Sequence, residues 1–144
     1  MNTIMKKWII ALLFAGAAMT ASAQVQFENA ATTDALRQMA IKTNKLVFID
    51  LYASWCPPCK MMERDVFSRE DVGKFMNERF VSAKFDVDQK LGGELMKLYG
   101  TGSIPCYLVF DTKGELLGRI VGASAPDELM RDLRKVIDKQ KKTE

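Results

Sequence analysis

Two cysteines with two residues between them, Cys56 and Cys59, stand in the stretch Trp55-Cys56-Pro57-Pro58-Cys59-Lys60. Such a spacing can close a reversible disulfide or supply half of a zinc site. A closed structural zinc site takes four ligands, and the chain has no histidine and one further cysteine, Cys106. The spacing therefore points to thiol–disulfide exchange, with no metal and no other cofactor expected. Exchange requires a thiolate, whereas a free cysteine with a pKa of about 8.5 is mostly protonated at neutrality. The surrounding structure must favour the charged sulfur. A non-enzymatic carrier of a soft metal on Cys56, Cys59 and Cys106 would use the third cysteine and stays open as an alternative.

Lys45 to Ala53 carries Leu-Val-Phe-Ile-Asp-Leu-Tyr, an apolar run that reads as a central strand buried on both faces. Asp50 sits in its middle, where an unpaired carboxylate is costly and tends to keep its proton. Pro57 and Pro58 cannot continue a strand but suit the first turn of a helix, so strand hands over to helix at Cys56. A helix N-terminus presents unpaired N–H groups and the positive end of a dipole. Cys56 is accordingly assigned as the nucleophile, and Cys59, one turn inside, as the thiol that resolves the mixed disulfide.

Around this centre the periodicity alternates between helix and strand. Thr33 to Asn44 puts Leu36, Met39, Ala40 and Thr43 on one helical face. The helix after Cys56 turns Met62 and Val66 inward, with a break near Phe67, and Ser68 with Asp71 offers a second start in capping-box form before Val72, Phe75 and Met76. Val81 to Asp88 alternates with a period of two and reads as a strand that carries Lys84. Leu91, Leu95, Leu98 and Tyr99 keep helical spacing up to Gly100 and Gly102. Cys106–Phe110 and Glu115–Val121 flank a hairpin turn, Asp111 to Gly114. A last helix takes Ser124 as its cap and Pro126 in its first turn, and faces inward through Leu129, Leu133, Val136 and Ile137. The pattern predicts one α/β domain with a mixed central sheet flanked by helices on both faces.

Lys6 and Lys7 precede an uncharged apolar run, Trp8 to Met19, and Ala21-Ser22-Ala23 follows. That is the layout of a secretory leader cleaved after Ala23, and the run falls short of the roughly 20 residues that span a bilayer. The expected division is a leader over 1–23 and a domain over 24–144, without a lasting membrane anchor. Cleavage lowers the formal charge from +3 to +1, with 19 basic against 18 acidic side chains. So balanced a surface argues against nucleic acid as a partner.

The order of Asp50, the Trp55–Lys60 motif, Lys84, Tyr99-Gly100, Ile104-Pro105 and Val121-Gly122-Ala123 resembles the thioredoxin superfamily over essentially the whole of the chain after the leader. The stretches Met62–Phe67 and Asn77–Val81 look like the branch that contains the C-terminal reductant domain of the bacterial transmembrane thiol:disulfide interchange protein. The resemblance implies a thioredoxin fold in which Asp50 assists proton transfer at Cys59 and Lys84, unless simply solvated, tunes that acid. It also implies a cis bond before Pro105, a backbone at Ile104 that pairs with a substrate strand, and an apolar floor of Trp55, Pro105 and Gly122 beside Pro57 and Pro58. Tyr52, Ser103 and Cys106 depart from the usual pattern. Cys106 reads either as a small buried apolar residue or as a third redox thiol.

The expected function is an extracytoplasmic thiol:disulfide oxidoreductase, periplasmic by its short leader, that acts on protein disulfides. Pro57 and Pro58 donate no N–H to the Cys56 sulfur, so the reduced form is weakly stabilised and a reductase is expected over an oxidase or isomerase. Electrons would come from an upstream thiol protein, which the branch likeness makes a membrane thiol:disulfide interchange protein.

Overall fold

In the computed structural model, which describes residues 23–142, the apolar run forms β1 (Leu46–Tyr52), with its five inner residues buried. Beside it lie β2 (Phe80–Asp86), β3 (Cys106–Phe110) and β4 (Leu116–Val121), in the order β2-β1-β3-β4. β1 runs parallel to β2, whereas β1–β3 and β3–β4 are antiparallel. The sheet is therefore mixed, as the sequence predicts. The expected leader lies outside the described residues apart from Ala23.

Period-two alternation on β1 sorts the two layers. Val47, Ile49 and Leu51 face α1 (Thr33–Thr43) and α4 (Lys90–Tyr99). Phe48 faces the opposite layer, made of α2 (Pro57–Met62), a π-helical turn (Glu63–Phe67), α3 (Glu70–Arg79) and α5 (Pro126–Lys141). The rings of Phe48 and Tyr107 stack there at 5.4 Å, with Phe67 edge-on to both. Leu129 and Leu133 of α5 are fully buried against this layer, and truncating either to alanine should cost about 2–5 kcal/mol.

Several predicted details differ. The α1 face narrows to Leu36 and Ala40, with Met39 and Thr43 exposed, because only the side of the helix over the sheet is covered. Leu98 of α4 is 72% exposed for the same reason. Ser68 does not cap α3: its hydroxyl donates back to Arg64 O at 2.5 Å, and the helix starts after Arg69. Ser124 is likewise not the cap of α5, which is Ala125, and its backbone N–H donates to Met62 Sδ at 3.4 Å.

Residues ahead of α1 cover the free edge of β2. Phe27 forms a parallel bridge to Ser82, and Glu28 N–H donates to Ser82 O at 2.7 Å. This removes unpaired strand groups that would otherwise invite another chain. At the start of α4, Gly92 passes so close to β2 that a Cβ there would overlap the Asp86 carbonyl, so only glycine fits.

Candidate active site

β1 ends at Tyr52, and the chain turns through Ala53 to Cys56, which caps α2 in extended conformation (φ −87°, ψ 106°). Pro57 and Pro58 occupy the first turn, where a missing N–H costs nothing. The Cys56 sulfur accepts the Cys59 N–H at 3.3 Å, and the two cysteines are joined in a disulfide with Cα atoms 5.3 Å apart. Both are buried in this oxidised state, Cys56 at 2% exposure. Tyr52, Val87 and Ile104 pack against the pair and Ala53.

Glu63, four residues after Cys59, opens the π-helical turn and reaches β2 through Lys84. Asp50 and Lys84 are direct partners in the parallel register there. Lys84 Nζ lies 3.8 Å from Asp50 Oδ2 and 3.5 Å from Glu63 Oε2, with its side chain 16% exposed. It also sits 4.7 Å from the Tyr52 ring and 5.3 Å from the Phe27 ring, so it is not a solvated surface lysine. Asp50 is 3% exposed, and its Oδ1 accepts no hydrogen bond from the protein. Burial pushes its carboxyl up from 3.8 to about 7; Lys84 pulls it down and Glu63 pushes it further up. A carboxyl poised near neutrality can take up or release a proton at physiological pH.

Around the rim, Trp55 is 64% exposed and its indole N–H donates to Asp88 Oδ2 at 2.6 Å. Pro57 and Pro58 are exposed beside it. The Ile104–Pro105 bond is cis, Pro105 is buried, and its carbonyl accepts the Gly122 N–H at 2.8 Å. Cys106 follows on β3 but faces the other layer, fully buried among residues under α1 and α4. Burial raises its thiol pKa, opposed more weakly by the Thr101 backbone N–H and Arg119.

The structure thus gathers Cys56, Cys59 and Ile104 into one cluster, and pairs Asp50 with Lys84. Glu63 and Asp88 join the site although the motif does not point to them. Glu63 is legible as the residue one turn past Cys59, whereas nothing in the spacing marks Asp88, whose bond to Trp55 spans 33 residues.

A family model described as a thioredoxin-like domain matches residues 33–137. Thioredoxin H2-1 of Oryza sativa subsp. japonica is 41% identical over 112 residues, covering 78% of this chain and 75% of that protein. A candidate disulphide-isomerase from Bacteroides thetaiotaomicron superposes with a TM-score of 0.73 at 30% identity, over 81% of this chain and 95% of its own. The reduced form of the C-terminal domain of DsbD from Neisseria meningitidis gives a TM-score of 0.61 at 25% identity, over 76% and 98%.

Proposed function

Because the chain belongs to the thioredoxin-like family and is a thiol:disulfide oxidoreductase with a Cys56–Cys59 disulfide, we propose that it works outside the cytoplasm as a net reductase of protein disulfides. In the reduced state the Cys56 thiolate attacks one sulfur of a substrate disulfide. The substrate's other sulfur leaves as a thiolate, and a mixed disulfide forms. Cys59 gives up its proton, with Asp50 as the acceptor, and its thiolate attacks the Cys56 sulfur. The second substrate thiolate leaves and the internal disulfide closes, so two electrons have passed to the substrate. An upstream dithiol then returns the pair to its reduced form, and the likeness to a DsbD C-terminal domain makes a membrane interchange protein of that kind the proposed donor.

The observation that carries the direction is the cap itself. Pro57 and Pro58 offer the Cys56 sulfur no N–H, and the hydrogen bond it receives comes from Cys59. A thiolate held so lightly is a poor leaving state for electrons to rest on, which favours giving them away. Substrate recognition is assigned to Trp55, Pro57, Pro58, Pro105 and Gly122 as an apolar surface, with the Ile104 backbone pairing to an extended substrate segment. Export is supported by the leader pattern over 1–23.

Equilibration with glutathione tests the direction: a potential more negative than roughly −200 mV is expected, and one near about −120 mV would defeat the reductase reading. Cys56→Ser should abolish reduction of insulin. The disulphide-isomerase neighbour favours one second reading, in which the substrate's own thiol resolves the mixed disulfide. Isomerisation would then survive Cys59→Ala, whereas reduction would not.

A further inference from the structure

The segment Gly100–Ile104 joins the end of α4 to the cis bond before β3, and it is wound around one sulfur atom. Met96, on the last turn of α4, is partly buried among the residues beneath that segment. Its Sδ accepts the backbone N–H of Gly102 at 3.3 Å, where the chain takes a positive φ of 83°. A Cβ at Gly100 would overlap the same sulfur and fall 2.8 Å from the Met96 carbonyl oxygen. The backbone therefore approaches the thioether more closely than any side-chain-bearing residue would permit. From the outer side, Arg119 of β4 donates to Tyr99 O at 2.8 Å and to Gly100 O at 3.5 Å, holding the final carbonyls of α4. The segment is thus held between a thioether within and a guanidinium without. It leads directly to Ile104, which packs on the cysteine pair, and to Pro105, whose carbonyl is tied to Gly122.

We propose that Met96 is a positioning residue for substrate recognition, with Arg119 as its outer counterpart: together they fix the Gly100–Ile104 segment so that the Ile104 backbone is presented to a protein substrate. The inference rests on the reading that Ile104 and Pro105 receive an extended substrate segment. Neither residue touches the reacting sulfurs, so their effect falls on binding of chains long enough to pair with that backbone. Thioether sulfur is a weak acceptor on a flexible side chain, and leucine matches its volume without the acceptor.

The test compares full-length wild type, Met96→Leu and Arg119→Gln on two oxidised substrates, insulin and glutathione disulfide, together with the reduction potential of each protein. Loss of one ordinary hydrogen bond should raise KM for insulin about 5-fold in either variant. The expected kcat on insulin, the potential and the rate with glutathione disulfide stay at wild-type values, and the Gly102 amide exchanges faster with deuterated solvent in Met96→Leu. Arg119 lies at the surface, so its variant reports even if the core substitution unfolds the protein. Insulin KM at the wild-type value in Arg119→Gln, or an equal loss on both substrates, overturns the proposal. A wild-type protein that reduces glutathione disulfide but not insulin refutes the substrate-segment reading instead, and the role of Met96 falls with it.

Discussion

Replacing Asp50 with asparagine should stabilise the oxidised protein at neutral and alkaline pH and leave it nearly unchanged in acid. Burial holds the Asp50 carboxyl near 7 in the fold against 3.8 in a free chain. Between those values the unfolded chain has lost a proton that the folded chain keeps. Stability therefore falls as pH rises through that window and stays at the lower level above about 7. At about 1.4 kcal/mol per pH unit the loss approaches about 4 kcal/mol, a large share of the roughly 5–15 kcal/mol that holds a domain together. Asparagine keeps the shape and carries no charge, so it escapes this loss. Urea unfolding of the oxidised wild type and Asp50→Asn near pH 4, 6 and 8 measures it. With an m-value of about 1–3 kcal/mol/M, the variant's midpoint should lie above that of the wild type by more than about 1 M at the highest pH. The gap should close at the lowest. A gap independent of pH, or a variant less stable than wild type near pH 8, would refute the assignment of a buried, poised carboxyl.

Two further outcomes test the surroundings. Glu63→Gln removes a negative charge that pushes the Asp50 carboxyl up and that shares Lys84 with it, so the Asp50 midpoint should move to lower pH in a carbon-detected NMR titration; an unchanged or more alkaline midpoint refutes the coupling. Cys106, fully buried and with its thiol pKa raised, should resist iodoacetamide in the native protein and react once the chain is unfolded. Rapid native labelling, or a crosslink from Cys106 to Cys56 or Cys59, would show a working third thiol instead.

Much of the fold is legible along the chain because its signals are local. The apolar run around Asp50, the proline pair after Cys56 and the glycine at position 114, with φ 88°, each announce an element or a turn from neighbouring residues alone. The details that misled are those in which a helix cap or an apolar period meets a competing partner or a limit of coverage. Ser68 looks like a cap, but its hydroxyl donates to the carbonyl of Arg64; Ser124 looks like one too, but α5 starts after Ala125 and the Ser124 backbone N–H goes to the sulfur of Met62. Met39 and Leu98 fit the helical period, yet the sheet is too narrow to cover every apolar position of α1 and α4.

The order of residues by itself determined the chemistry. Two thiols one helical turn apart, a strand that must end where prolines begin, and an acid among aliphatic residues are properties of neighbours. Tertiary structure decided how that chemistry is tuned. Lys84 of β2 meets Asp50 and Tyr52 of β1 and Glu63 of the π-helical turn only once β2 has paired with β1, and Asp88 reaches Trp55 from beyond the end of β2. The charge state of a buried group depends on distances between such elements and on how far water is excluded, and neither is a property of spacing along the chain.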